Sequence, residues 1–233
     1  MSTLVIKTGM VVEQQIARKY AAPGTLVLTG EYTASALEQA VPLDCRAILS
    51  LGVCGGLAPQ AQIGQAFIYD RVATPIPYVT AAVTGGPTPI YRSCDVEWRK
   101  RLFAATRYYE RSCWSSGQFN TANDEPERAD LFARTGCWVI DDESYAVAQF
   151  ASRRNIAFIG LRTVSDGAED NLPPAVINAL NPNGTDNLYQ VILSVLEDPA
   201  QLPALLQTAT EAKRAFDELE TACMQVGPNF QWQ

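Results

Sequence analysis

Alternating strand and helix signals constrain the fold of this chain more than any other feature. Continuous apolar runs typical of buried strands occupy 3–9, 25–30, 46–52, 65–72 and 155–164. Segments with a helical period separate them, beginning with "MVVEQQIARKYA" after the first run. Strands that are apolar on both faces need helices on both sides of the sheet. The sequence therefore predicts an α/β sandwich, and a length of 233 residues favours a single domain over 1–233.

Two stretches differ from this pattern. Residues 73–93 are rich in Pro, Gly and Thr and too long for a routine connection, so we expect an ordered excursion there. Near the carboxyl end, apolar residues recur at helical spacing and indicate a packing stripe with a purely structural role. The stripe consists of Leu202, Leu205, Leu206, Ala209, Ala212, Phe216 and Leu219.

The chain contains no histidine. This absence excludes Ser-His-Asp triads, Cys-His pairs and H-E-x-x-H metal sites. Any proton transfer near neutral pH would then depend on carboxylates, Tyr, Lys or Cys.

Charge and cysteine content narrow the class of protein further. With 18 Lys and Arg against 25 Asp and Glu, and with the basic residues scattered, nucleic acid is not an expected partner. Six separated cysteines without a C-x-x-C pair indicate reduced thiols, so neither a metal site nor a cofactor is predicted. The apolar run near the amino end is interrupted by Lys7 and Gly9 and is too short for a signal peptide or a membrane span. We therefore expect a cytoplasmic protein with no transmembrane segment.

Three predicted strand ends carry residues suited to ligand binding. Glu13 follows the first strand, Gly52 and Gly55 follow the third, and Ser165 and Asp166 follow the last. Open α/β sheets bind ligands at the carboxyl ends of their strands. Each feature alone is weak, because glycine also serves tight turns and a Ser-Asp pair also caps helices.

Three consecutive acids, Asp141, Asp142 and Glu143, lie between an apolar run and a helix of small apolar residues. Like charges beside a core segment need a helix terminus or a ligand to offset their repulsion. Asp141 is expected near the helix N-terminus, whose partial positive charge opposes its own. A capped and solvated helix start is the alternative interpretation of the whole cluster.

The combination of these motifs resembles the nucleoside phosphorylase superfamily. The likeness is to methylthioadenosine/S-adenosylhomocysteine nucleosidases and, more closely, to hopanoid-associated phosphorylases, which have similar "D-x-E-S" and "LR-x-VSD-x-A" stretches. It covers nearly the whole chain, with a poor match over 73–93 and 94–125. It implies a three-layer α/β/α sandwich with a central mixed, twisted sheet, and a homodimer. The sequences that carry it are "TGMVVEQ", "LGVCGGLAPQAQIGQAFIYDRV" and "VIDDESYAVAQFASRRNIAFIGLRTVSDGAED".

The resemblance implies cleavage of the N-glycosidic bond of a purine nucleoside, with adenine as the expected base. Asp166 would protonate N7 of the base, and it would have to be protonated at working pH, which burial after an apolar strand favours. Glu143 would hold the ribose hydroxyls and stabilise the oxocarbenium charge, while Glu13 would orient the attacking water. Further substrate contacts are expected from Asp142, Gly52, Val53, Cys54, Gly55, Phe119 and Ser165.

The nucleophile is water or phosphate. Phosphorylases of this superfamily usually place an Arg just before the glycine-rich turn to hold phosphate. Here that position reads "ILSLGVCGG", without an Arg. Water is therefore favoured. Arg162 is predicted to form a structural ion pair, with a phosphate contact as the alternative.

Two departures from the family pattern leave alternatives open. Asp142 stands where the family commonly has Met, and no histidine is present for the 5′ side of the sugar. An inactive nucleoside-binding member, a purine nucleoside phosphorylase, and an unrelated α/β protein with the three carboxylates far apart are the alternatives. For a hopanoid-linked adenosyl substrate, a groove for the lipid tail would be lined by Ile76, Tyr78, Val79 and Ile90.

Overall fold

The computed structural model describes residues 3–30, 32–75, 89–115, 122–177, 179, 181, 184–185 and 187–232. Within these ranges one sheet contains eight strands: β1 (Thr3–Lys7), β2 (Leu26–Leu28), β3 (Cys45–Gly56), β4 (Ala66–Pro75), β5 (Pro89–Ser93), β6 (Tyr109–Ser115), β7 (Val139–Asp141) and β8 (Ala157–Asp166). The helices in the same ranges are α1 (Val11–Tyr20), α2 (Ala34–Ala40), α3 (Val96–Thr106), α4 (Glu125–Thr135), α5 (Ser144–Arg153), α6 (Pro174–Ile177), α7 (Leu188–Glu197) and α8 (Leu202–Val226).

The sheet is mixed and partly closes on itself. β1 lies between β2 and β3 and is parallel to both. β3 is also parallel to β8, while its carboxyl end pairs antiparallel with β7. β8 is antiparallel to β4, β4 pairs with β5 and β6, and β6 returns to β7. The strands β3, β8, β4, β6 and β7 therefore form a closed ring, and β1, β2 and β5 extend the sheet beyond it.

Helices cover the sheet in two groups. α1 and α3 pack against α8, which lies on β3, β4 and β8. α5 contacts the same three strands and packs against α2. Because α5 and α8 cover the same strands, they lie on opposite faces of the sheet. The predicted three-layer α/β/α sandwich with a mixed sheet is confirmed.

Apolar side chains on both faces explain why β3 and β8 lie in the middle of the sheet. Ile48, Leu49 and Leu51 of β3 and Leu161 of β8 are fully buried. Neighbouring strands and the two helix layers remove their side chains from water, which stabilises the fold in proportion to the apolar area buried. The six cysteines are also buried and free, as their spacing predicts.

Two strands are longer than the sequence predicts. β3 continues through Gly55 and Gly56, which were expected to lie in a turn, and β8 continues through Asp166. Pairing with β7 and β8 supplies hydrogen bonds to the backbone of both glycines, so the strand need not end there. The expected glycine-rich turn is therefore wrong.

The expected excursion over 73–93 begins and ends in the sheet. β4 and β5 pair antiparallel from Arg71 with Ser93 to Pro75 with Pro89, and residues 76–88 lie outside the described ranges. No helix in the part of the chain that the structure describes has both the length and the apolar character needed to cross a bilayer.

The core position of β3 yields a stability prediction. Ile48→Ala should lower the free energy of unfolding by about 2 to 5 kcal/mol, because a cavity replaces a fully buried side chain. Leu43, which is 91% exposed, provides the control, and Leu43→Ala should change it by less than about 0.5 kcal/mol. Chemical denaturation of both variants measures this, and equal effects would contradict the placement of β3.

Candidate active site

A cavity of about 510 Å³ lies where β3 and β8 end and where α1 and α5 begin. This volume falls in the range of pockets for small organic molecules. Most of the residues that the sequence singled out contribute to its wall: Glu13, Val53, Cys54, Gly55, Asp142, Glu143, Ser165 and Asp166. The residues of three separate strand ends therefore meet at one place.

Glu13 is held by three backbone amides. Its Oε2 accepts hydrogen bonds from the N–H groups of Gly9 (2.8 Å) and Met10 (2.9 Å), and its Oε1 accepts one from Val53 N–H (2.8 Å). The bond from Met10 is that of a capping-box glutamate at the start of α1, but the bond from β3 fixes the carboxylate at the cavity. Burial raises the pKa of Glu13, Arg162 opposes the rise, and the charge of Glu143 adds to it.

The run of three acids begins a helix, as expected. Asp141 Oδ1 accepts a hydrogen bond from Ser144 N–H at 3.0 Å, and Oδ2 accepts one from Ser144 Oγ at 2.5 Å. The Tyr69 hydroxyl donates a hydrogen bond to Asp141 Oδ2 at 3.1 Å. Asp141 therefore stabilises the first turn of α5 and is buried, while Asp142 and Glu143 are only partly buried; all three line the cavity.

Arg162 forms the structural ion pair that the sequence predicts. Its Nη2 donates to Glu143 Oε2 at 2.9 Å and to Ser50 Oγ at 2.8 Å, and its Nη1 donates to Val53 O at 2.9 Å. Its Nε lies 3.5 Å from Asp141 Oδ2. One buried guanidinium thus offsets two of the three consecutive acids, which explains how these acids can lie against the core.

Lys7 is a buried charge at this site that the sequence interpretation missed. It is 2% exposed, and its Nζ donates to Thr8 O at 2.7 Å and to Gly30 O at 2.6 Å. Burial lowers the pKa of Lys7 to about 8, while the negative charges of Glu143 and Glu13 act in the opposite direction. The signal in the sequence was a single lysine inside an otherwise apolar strand.

Asp166 also lines the cavity and binds Arg128. Arg128 is 1% exposed, and its Nη2 donates to Asp166 Oδ1. Asp166 Oδ2 accepts a hydrogen bond from Ser165 Oγ at 2.7 Å. The predicted acid therefore has a cationic partner that no motif had indicated.

Two predicted glycines make room for acidic side chains. A Cβ atom at Gly52 would lie 2.2 Å from Glu13 Oε1, and one at Gly55 would lie 2.9 Å from Asp166 Oδ1. Gly52 itself does not line the cavity. The expected substrate contact is corrected for Gly52, because its missing side chain allows β3 to approach Glu13.

One wall of the cavity is apolar and comes from the carboxyl-terminal helix. Val176 and Ile177 of α6 contribute to this wall together with four residues of α8: Leu205, Ala209, Ala212 and Phe216. Phe216 also packs against the main core, as the predicted stripe implies, and the cavity lining adds a position that the prediction did not include. Leu219 is buried as predicted, whereas Leu202 and Leu206 are exposed.

Of the remaining predicted contacts, one lies within the residues that the structure describes. Phe119, Ile76, Tyr78 and Val79 lie outside the residues that the structure describes. Ile90 packs against the main hydrophobic core and does not line the cavity, so the predicted groove does not include it.

Comparisons with known proteins identify a matching family and similar solved structures. The family model of the phosphorylase superfamily matches residues 19–197. Futalosine hydrolase of Helicobacter pylori superposes with a TM-score of 0.64 at 11% identity, over 96% of this chain and 97% of that one. The 5′-methylthioadenosine/S-adenosylhomocysteine nucleosidase of the same organism gives 0.64 at 12% identity, over 95% and 97%. The corresponding nucleosidase of Neisseria meningitidis gives 0.62 at 16% identity, over 97% and 99%.

The fold and the cavity together define an α/β protein with a carboxylate-rich small-molecule site. Because the family model matches well over half of the chain, the chain belongs to the phosphorylase superfamily. The solved structures share its fold at low sequence identity. A search among curated proteins found no match. Glu13 lies before the matched range, so its place in the cavity is known from the structure alone.

The raised pKa of Glu13 yields a test of its burial. The folded state keeps the Glu13 proton to higher pH than the unfolded chain, so stability is lost as pH rises above the ordinary glutamate value of 4.5. Glu13→Gln removes this loss, and its free energy of unfolding should therefore increase relative to wild type from about pH 4 to pH 8. Denaturant titrations across this range measure the difference. The exposed variant Glu38→Gln is the control, and a pH-independent gap for Glu13→Gln would contradict the prediction.

Proposed function

We propose that this chain hydrolyses the N-glycosidic bond of a purine nucleoside. The observation that carries the proposal is the meeting of Glu13, Glu143 and Asp166 around one cavity, although they lie far apart in the sequence. Such a reaction needs a group that activates water, a negative charge near the sugar, and a group that stabilises the departing base. The superfamily and the nucleosidases and hydrolase among the similar structures support this reaction class.

Glu13 and Glu143 serve the sugar end in this proposal. Water attacks C1′ and gives a proton to Glu13, whose raised pKa makes it a better base than an ordinary carboxylate. The C1′–N9 bond breaks and its electron pair goes to the base. Arg162 binds Oε2 of Glu143, so Oε1 can accept hydrogen bonds from the ribose hydroxyls. The negative charge of Glu143 stabilises the oxocarbenium ion.

Asp166 serves the base end. Its predicted role as the acid that protonates N7 stays a prediction, and in the structure one carboxyl oxygen of Asp166 is bound to Arg128 and the other to Ser165 Oγ. The acid role therefore requires the ion pair to open when substrate binds. If it stays closed, another group must stabilise the negative charge of the departing base.

Charge favours water over phosphate as the nucleophile. Arg162 is already bound to Glu143, Ser50 and Val53 O, and Asp141 lies close to its Nε. A phosphate near the sugar would face the carboxylates of Glu13 and Glu143 without a guanidinium of its own. Phosphorolysis, as in a purine nucleoside phosphorylase, is the second candidate, and the phosphate dependence of base release distinguishes it from hydrolysis.

The base and the 5′ group belong to the finer part of the proposal. Adenine is the expected base from the sequence resemblance, and similar structures include enzymes named for methylthioadenosine and S-adenosylhomocysteine. The apolar wall on α8 supports an apolar 5′ substituent, including a hopanoid-linked one. No Lys or Arg occurs from Thr163 to Ala212, so this stretch offers no cation to an anionic 5′ group. The single domain, the homodimer and the cytoplasmic location stay predictions.

Release of free base tests the proposed reaction. Wild type should release adenine from adenine nucleosides at the same rate with and without phosphate. Glu13→Gln and Asp166→Asn should each lower kcat/KM by about 100-fold or more, the range for loss of a general acid or base. Chromatographic detection of the base measures this, with Glu38→Gln as the unaffected control.

Three outcomes would contradict parts of this proposal. A requirement for phosphate would assign phosphorolysis. Activity of Asp166→Asn equal to wild type would remove Asp166 from the reaction. Absence of base release from every nucleoside would identify a binding protein without activity, an outcome to which Asp142 and the Arg128 pair both point.

The apolar wall yields a prediction about the 5′ group. Ala209→Asp should raise KM for adenosine carrying a long apolar 5′ group, such as adenosylhopane, by about 10-fold or more, because a charge would face the apolar group. Adenosine itself should be affected less. Leu206→Asp is the matched control, since Leu206 is exposed on the same helix, as Ala209 is, but does not line the cavity. Equal effects of Ala209→Asp on both substrates would contradict the placement of the 5′ group.

A further inference from the structure

We propose that Lys7 is a positioning residue for Glu13, which it holds through the peptide group that joins Thr8 to Gly9. This inference rests on the proposed function, because it takes Glu13 as the base that activates water. It assigns a role to a buried lysine that the proposed mechanism leaves unused.

One peptide group connects the two side chains. Lys7 Nζ donates a hydrogen bond to Thr8 O at 2.7 Å, and the N–H of Gly9 in the same peptide group donates to Glu13 Oε2 at 2.8 Å. The described part of the chain contains no cis peptide bond, so this carbonyl and this N–H point in opposite directions. A cation at the carbonyl polarises the peptide group and strengthens the hydrogen bond that its N–H donates to the carboxylate.

The same lysine fixes the turn formed by residues 8–10 against the end of β2. Its Nζ also donates to Gly30 O at 2.6 Å. At the other end of the turn, Met10 N–H donates to Glu13 Oε2 at 2.9 Å. Two of the three amides that hold Glu13 therefore belong to a segment that Lys7 anchors.

The turn also meets Glu143. A Cβ atom at Gly9 would lie 2.3 Å from Glu143 Oε1 and 3.6 Å from Glu13 Oε2, so the backbone at Gly9 lies close to both carboxylates. A shift of the turn would therefore move the group that activates water relative to the group that stabilises the sugar in the proposed function. A displacement of this kind lowers the rate of a reaction that depends on near-attack geometry.

Charged groups from three elements face the Lys7 ammonium. They are Glu13 of α1, Glu143 at the start of α5 and Arg162 of β8. Burial lowers the pKa of Lys7 to about 8, the two carboxylates oppose this shift, and the guanidinium adds to it. Its neighbours in the sheet, Leu28 and Ser50, are uncharged. Lys7 is therefore mostly a cation at pH 7, and its charge favours the carboxylate form of Glu13.

Carbon-13 NMR tests the contact without requiring catalysis. The Cε signal of Lys7, identified by its absence in Lys7→Met, should titrate at about pH 8 instead of the ordinary lysine value of 10.5. Glu13→Gln should lower this midpoint further, and Glu143→Gln should lower it more, because each variant removes a negative charge that opposes the shift. Titration of Lys7 at the ordinary value would overturn the inference, as would an unchanged midpoint in Glu13→Gln.

The pH dependence of activity tests the positioning role. The ratio of wild-type to Lys7→Met kcat/KM should be about 10- to 100-fold at pH 6, because Glu13 loses both its fixed position and a charge that favours its carboxylate form. The ratio should be smaller at pH 9, where wild-type Lys7 is mostly neutral and the two proteins differ less in charge. Most of the loss should lie in kcat, since Lys7 does not line the cavity.

Lys19→Met is the matched control. Lys19 is an exposed lysine on α1 that pairs with Glu220 at the surface, and its replacement should leave kcat/KM within about 2-fold of wild type at both pH values. A ratio for Lys7→Met that is equal at pH 6 and pH 9 would indicate a purely structural lysine and overturn the inference. If Lys7→Met fails to fold, the titration of Lys7 in wild type and in Glu13→Gln still decides.

The outcomes separate this inference from the proposed function. A Lys7 midpoint at about pH 8 that responds to Glu13→Gln, without base release from any nucleoside, would support the contact and remove the hydrolase. Base release by wild type, together with a Lys7→Met ratio that does not depend on pH, would support the hydrolase and remove the positioning role.

Discussion

Partners for buried carboxylates determine whether this cavity can exist. Taking like charges out of water is unfavourable unless hydrogen-bond donors or cations replace the solvent. Three backbone amides hold Glu13, Arg162 holds Glu143, and Arg128 holds Asp166. Each of these three acids therefore has its own compensation. The proposed function places the sugar beside Glu13 and Glu143 and the base beside Asp166.

The sheet topology explains how much of the site the sequence could predict. β1, β3 and β8 are adjacent and parallel, so their carboxyl ends lie at one edge of the sheet. Glu13 follows β1 and Asp166 ends β8, so the pattern of apolar runs alone predicts that they lie near each other. Glu143 is added because β7 pairs with the carboxyl end of β3 and places the start of α5 beside it.

Other parts of the site depend on tertiary contacts that local pattern does not encode. Arg128 lies in the charged segment "EPERADLFAR", where one of several charges on a helix is buried only because the ends of β3 and β8 meet it. Periodicity predicted the apolar face of α8, but periodicity cannot tell a face that meets the core from one that meets a cavity. The extension of β3 through Gly55 was missed for a similar reason, since a glycine-rich turn and a strand accommodating Asp166 have the same sequence.

The charges around Glu13 and Glu143, where the proposed function places the sugar, bear on which reaction the cavity suits. Glu13, Asp141, Asp142 and Glu143 lie near two cations, Arg162 and Lys7, and burial lowers the pKa of Lys7 to about 8. Fully ionised, four acids exceed two cations, so the potential there is negative. For the proposed reaction, such a potential would repel an incoming phosphate and stabilise a sugar that becomes positive at C1′. Burial is the main cause of the raised pKa of Glu13; the charge of Arg162 opposes the rise, and the charge of Glu143 adds to it.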